Sequence, residues 1–196
     1  MNLLLHEQLL LLALDDEKGT IHWEAGQIPQ IVAGALLAEL RLHERIEFRR
    51  TKKSYVVAVS STAPMGDSLL DEVLAVVSHA PEPLSVIDWV RKFSAISELK
   101  ERIAEGLCDK GILEEKESRT LFFFKRTDYP TRDLAPETAF IAELREAIFQ
   151  GGAVDERMAL LISLSHQSGL LAIPFSRAEL KQAKKRLINF HESQGL

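Results

Sequence analysis

The segment Leu3 to Leu14 contains only three polar residues, His6, Glu7 and Gln8, and is otherwise dense in leucine. Such a stretch has no solvent face to offer, so it predicts a helix buried on most sides, with the rest of the chain packed around it. The longest unbroken apolar part, Leu9 to Leu14, is far too short to cross a bilayer. The run Asp15, Asp16, Glu17, Lys18, Gly19 then ends the helix with turn chemistry.

With 196 residues and 46% hydrophobic composition, the chain is expected to bury a core of ordinary size as one domain over 1–196. A formal charge of −5 and a pI near 5.7 argue against a general nucleic-acid coat, which would be net basic. The start lacks the basic end and cleavage site of a signal peptide, so a cytoplasmic location is expected. A single cysteine, Cys108, makes no internal disulfide and no cysteine metal site, and its helical context predicts a buried thiol.

Ala33 to Leu42 is rich in Ala and Leu, with Pro29 near its first turn, and predicts a second helix. Ile46 and Phe48 alternate with charged residues, and Tyr55 to Val59 is β-branched and aromatic, so a hairpin is expected around Thr51 to Ser54. Asp67 is placed to cap a helix Ser68 to Ser78, and Ser85 to cap Val86 to Phe93. Ile96, Leu99, Ile103 and Leu107 mark the apolar face of a longer helix that stops at Gly111. Pro130 and Pro136 bracket a loop. Helical stripes follow at Phe140, Ile141, Leu144 and Ile148, ended by Gly151 and Gly152, and at Met158 to Leu164. Ser176 with Glu179 forms an S-x-x-E capping box that opens a last helix, running to about Phe190.

Between these helices, Gly111 to Arg126 reads as two short strands joined by a turn at Glu117 and Ser118. Its second half carries Leu121, Phe122, Phe123 and Phe124 in an unbroken run, flanked by Arg119, Lys125 and Arg126. Burial of each such side chain is worth roughly 1.5 to 3 kcal/mol, enough to drive core packing, a subunit contact or insertion among lipid tails.

Catalytic and metal readings find little support. Gly66, Asp67, Ser68 and Leu69 spell the GDSL word of a lipase and esterase family, but no Asp has a His three places later to supply the base that a serine nucleophile needs. The residues His6, His22, His43, His79, His166 and His191 show no H-E-x-x-H spacing. Asp71 and Glu72 are adjacent and diverge by about 100° on a helix, so they form no carboxylate pair. No phosphate loop or dinucleotide fingerprint is present. The expectation is a non-enzyme with no catalytic residue, no metal and no cofactor.

Basic residues carry more information. Arg41, Arg45, Arg49, Arg50, Lys52 and Lys53 cluster against only Glu44 and Glu47, which reads either as a solvated face or as a surface for anionic lipid. Trp23 suits a membrane interface or the core equally well.

Several separated motifs resemble the Golgi phosphoprotein 3 family. They are Leu3 to Leu14 with the acidic Gly turn and Trp23; Thr62-Ala63-Pro64-Met65-Gly66-Asp67 with Leu69-Leu70-Asp71-Glu72; and Lys100-Glu101-Arg102-Ile103-Ala104 through Lys110-Gly111-Ile112-Leu113. Arg157 to Leu171 and Lys184-Lys185-Arg186 extend the likeness over nearly the whole chain. The resemblance implies a mainly α fold, a helical bundle surrounded by amphipathic helices with one or two β-hairpins, one projecting. It also implies a non-enzymatic peripheral membrane protein that recognises phosphatidylinositol 4-phosphate.

The family's lipid pocket joins a tryptophan to three arginines. Trp23 matches the tryptophan, but Ala33, before Gly34, takes the place of the first arginine, and Ser97 and Lys100 take the places of the other two. Lys100 keeps charge without the bidentate fork that suits phosphate. Arg91, Lys92 and Arg102 are the neighbouring cations that could compensate. Leu121 to Phe124 fall where the family carries an apolar hairpin tip implicated in membrane insertion and self-association. The absence of a basic leading tail and of a last apolar helix makes a short, bacterial-type member the expectation.

The partners expected are an anionic phospholipid membrane and a second copy through the hairpin, with no nucleic acid. A winged-helix nucleic-acid module is the alternative, since Ile96 to Lys110 precedes a hairpin. Its helix would carry Glu98, Glu101, Glu105 and Asp109, which a phosphate backbone repels. An oligomerisation scaffold without lipid binding is the other alternative.

Overall fold

The computed structural model describes residues 3–22, 25, 27–52, 54–119, 125–151 and 154–194. It is mainly helical with two separate antiparallel hairpins. Helix α1 (Leu5–Ala13) is buried at every position, as its leucine density requires, and packs against α2 (Ile28–Leu42), α5 (Leu99–Asp109), α6 (Ala135–Arg145) and α7 (Glu156–Gln167).

Its polar residues are accommodated individually. The Glu7 carboxylate accepts from Lys110 Nζ at 2.6 Å and from the Leu4 amide at 2.9 Å, which satisfies one of the amides left open at the helix start. Burial holds the His6 imidazole below its ordinary pKa, because desolvation penalises the charged ring more than Glu7 favours it.

The start of α1 is also held from outside. Glu39 of α2, with no exposed surface, accepts from the Leu5 amide at 2.8 Å and from Arg157 of α7 at 2.7 Å, and Arg157 donates to the Leu3 carbonyl at 2.6 Å. One buried ionic knot thus fixes three helices.

Strands β1 (Ile46–Arg50) and β2 (Tyr55–Val59) pair in the register Ile46↔Val59 to Arg50↔Tyr55, turning over Thr51 to Ser54 as the alternation predicts. Asp67 accepts from the Leu70 amide to cap α3 (Ser68–Ser78), and Ser85 accepts from Asp88 to cap α4 (Val86–Phe93). Helix α2 begins earlier than its Ala-rich part, at Ile28, with Pro29 in its first turn. Helix α5 begins later than its apolar stripe: Glu98 takes a left-handed conformation, φ 55°, so Ile96 and Ser97 lie before the helix.

The second hairpin corrects the sequence reading. Glu117 and Ser118 form no turn: they lie within β3 (Lys116–Arg119) and pair with Thr127 and Arg126 of β4 (Lys125–Asp128). The connection is the segment 120–124, which lies outside the described residues, so the predicted apolar tip Leu121, Phe122, Phe123 and Phe124 is located only as the link between these strands.

Pro136 sits in the first turn of α6 rather than closing a loop, where its missing N–H costs nothing. Helix α6 widens into a π-turn at Glu146–Gln150 before Gly151. Asp155 caps α7, and a 3-10 turn at Leu170–Ala172 leads to α8 (Arg177–Gln194). The Ser176 and Glu179 box closes reciprocally: Ser176 N donates to Glu179 at 2.8 Å, and Glu179 N donates to Ser176 Oγ at 3.3 Å. The helix runs past Phe190 to Gln194.

Candidate functional site

The basic residues singled out in the sequence come from α4 and α5. Arg91 and Lys92 occupy the last turn of α4. Arg91 is largely exposed and donates to Asp88 one turn earlier, at 2.8 Å. Lys92 stands 5.1 Å over the buried Trp89 ring, a cation–π contact that holds its stem against the helix. It also lines a small hollow of about 150 Å³ with Glu72 and Ile96. Glu72 in turn accepts from Arg102 at 2.6 Å, so Lys92 and Arg102 share one acidic neighbour on α3.

Lys100 leaves α5 elsewhere. Residues two apart on an α-helix diverge by about 200°, which separates Lys100 from Arg102. Lys100 Nζ stands 5.7 Å over the Tyr129 ring and 3.1 Å from Glu101, with 26% of its side chain exposed. Tyr129 is buried, and desolvation together with Glu105, Glu115 and Glu101 pushes its phenol up to about 12, so it meets Lys100 as a neutral ring.

Tyr129 is also where the turn after α1 docks. Its amide donates to the Gly19 carbonyl at 3.1 Å, and the Thr131 amide donates to the Asp16 carbonyl at 2.8 Å. Gly19 adopts φ 67°, and a Cβ there would fall 2.2 Å from the backbone of Tyr129 and Pro130. Only glycine fits this approach. The segment that leads toward position 23 is therefore fixed beside the residue under Lys100. Trp23 itself lies outside the described residues. Ala33, at the first arginine position, is fully buried in α2.

Sequence reasoning missed a carboxyl pair at this junction. Glu137 of α6 is buried beside Asp16, which accepts from Thr131 Oγ1 at 2.8 Å. Desolvation and the neighbouring Asp16 push Glu137 up to about 8. The partners lie 121 positions apart, with no periodic signal linking them; only the Asp15 to Gly19 turn was visible. Cys108 is half-buried rather than buried, and desolvation with Glu115 and Asp109 raises its thiol pKa, which makes it a poor nucleophile.

A buried leucine helix ringed by other helices, with two separate antiparallel hairpins, defines a mainly helical protein. Among the described residues no helix is long and apolar enough to cross a membrane, and no three potential ligands gather as for a metal ion. The family model described as Golgi phosphoprotein 3 (GPP34) matches residues 5–195, and the chain belongs to that family. It is similar to vacuolar protein sorting-associated protein 74 of Eremothecium gossypii, 29% identical over 149 residues, covering 67% of this chain and 44% of the relative. The protein of the same name from Schizosaccharomyces pombe is 29% identical over 151 residues, covering 68% and 43%. The match thus spans less than half the length of these relatives.

Proposed function

We propose that this chain is a non-catalytic peripheral membrane protein that binds anionic phospholipid head groups of the phosphatidylinositol 4-phosphate type. Trp23 and Lys100 contact the head group, while Arg91, Lys92 and Arg102, which the fold holds apart from Lys100, add positive charge toward the same membrane. Leu121 to Phe124 enter the bilayer or meet a second copy of the chain. The observation that supports this reading is Lys100 standing over the Tyr129 ring, whose backbone also holds the Gly19 turn, in a chain of this family. The hairpin adds to it, since an apolar segment flanked by cations suits the boundary between head groups and acyl chains.

Cosedimentation with vesicles tests the proposal, using phosphatidylcholine alone, with phosphatidylserine, and with phosphatidylinositol 4-phosphate. Each basic residue near an anionic surface contributes about 1 kcal/mol, so Lys100→Glu is expected to weaken binding by roughly tenfold or more. Trp23→Ala and Phe123→Asp are expected to weaken it as well. Unchanged binding in Lys100→Glu and Phe123→Asp would remove the mechanism. Equal binding to phosphatidylserine and phosphatidylinositol 4-phosphate would reduce it to general attraction to anionic membranes.

A further inference from the structure

A cavity of about 540 Å³ opens between α2, the β1–β2 hairpin, the start of α4 and the end of α7. This is within the range of small-molecule sites. Its apolar wall includes Ile31, Leu37, Phe48, Val90 and Leu164, and none of its lining residues carries a formal charge. The α2 members run from Gln27 to Ala38 along a single helical stripe, a length of about 16 Å. Gly34 widens the channel at its middle: a Cβ there would meet only the Leu164 side chain, at 3.5 Å. Such a channel accepts one extended hydrocarbon chain.

Positive charge gathers around Phe48. Arg41 continues the α2 stripe one turn beyond Ala38, and its guanidinium stands 5.6 Å over the Phe48 ring. Its Nη2 pairs with Glu156, while its Nη1 is buried and has no hydrogen-bond partner among the described residues. Arg50 lies two residues along β1, on the same strand face as Phe48, and opposite Tyr55 of the wall. It is exposed and carries no ion pair among the described residues. Arg49, on the other face, is engaged by Glu47.

We propose that this groove binds one long-chain fatty acid, its hydrocarbon lying along α2 between Ile31, Val90 and Leu164, and its carboxylate held by Arg41 and Arg50 beside Phe48. A wall without formal charge offers the interior of the channel no partner for an ionic group, which is left to the arginines beside Phe48. The two arginines select an anion over a cation or neutral amphiphile of equal length, because Arg41 presents an unused donor and Arg50 an unpaired charge. Lys100, Arg91, Lys92 and Arg102 do not line this groove, and myristate binding is read without a membrane.

Calorimetry of the delipidated full chain with myristate, below its micelle concentration, tests the proposal. One-to-one saturable binding is expected, with dodecyltrimethylammonium at least tenfold weaker. Arg50→Glu, on the exposed strand, is expected to weaken myristate at least tenfold. Gly34→Leu fills the channel and is expected to abolish binding. Ile87→Glu charges the exposed rim without touching the core, and a strong loss there decides the matter should Gly34→Leu misfold. Absence of saturable myristate binding, equal affinity for the cationic amphiphile, or unchanged affinity in both Arg50→Glu and Ile87→Glu would overturn the assignment. Binding of myristoyl-lysophosphatidylglycerol in place of myristate would overturn the choice of a free fatty acid.

Discussion

Glu137 is a carboxyl group for which two physical effects compete. It sits in the first turn of α6, where the helix dipole favours a negative charge by about 0.3–1 kcal/mol. Burial and the neighbouring Asp16 outweigh that, and raise it to about 8 from an ordinary 4.5. At neutral pH Glu137 therefore keeps its proton beside Asp16. The sign for stability follows directly. Between about 4.5 and about 8 the folded chain keeps a proton that the unfolded chain has released, so stability falls as pH rises through that window and levels off above it. Glu137→Gln keeps a neutral donor toward Asp16 and removes this slope. Thermal melts at pH 5, 6.5 and 8 should show the wild type losing stability relative to Glu137→Gln at each step; a constant difference would show that Glu137 does not titrate there.

The helices differ in how far local sequence determines their ends. Where a side chain caps its own helix, as Asp67, Ser85 and Ser176 do, the boundary could be read directly, because donor and acceptor lie three residues apart. The start of α5 could not, since the left-handed Glu98 interrupts an apolar stripe that periodicity alone continues to Ile96. The β3–β4 turn was misplaced for a related reason: charged Glu117 and polar Ser118 have turn composition, but a hairpin strand can carry the same residues. Least legible were the ties between helices. Glu39 and Arg157 are 118 residues apart, and nothing local marks either as buried. Their knot secures α1, α2 and α7 together, and removing Arg157 leaves the Glu39 carboxylate buried without its guanidinium partner. Loss of one member of a buried pair costs about 3–5 kcal/mol. Arg157→Ala is therefore expected to lower unfolding stability by about 3 kcal/mol or more in urea titrations, with Arg157→Lys intermediate because it keeps charge but not both donors. A change below about 1 kcal/mol would mean that His43, 3.3 Å from Glu39, takes over the compensation.

At the scale of the whole molecule, the proposed membrane contact requires a chain of formal charge −5 to approach an anionic surface. Net attraction is then available only to a local face, and the chain must orient before it binds. The proposed contacts supply two forces of different physical kind. In that proposal Lys100, Lys92, Arg91 and Arg102 act through charge, which salt screens over about 10 Å at 0.1 M. Leu121 to Phe124 act through apolar burial, which salt does not screen. The sequence displayed both sets of residues but not their separation: Lys100 and Arg102 are neighbours in the chain, yet one faces Tyr129 and the other Glu72. Vesicle binding measured from about 0.05 M to about 0.5 M salt should resolve the two forces. The wild type is expected to lose most of its affinity across that range and to retain a residue set by the hairpin. Lys100→Glu should flatten the salt dependence, while Phe123→Asp should keep the slope and lower the high-salt remainder. Parallel salt curves for wild type and Lys100→Glu would separate Lys100 from the membrane contact altogether, leaving the hairpin as the membrane-facing element.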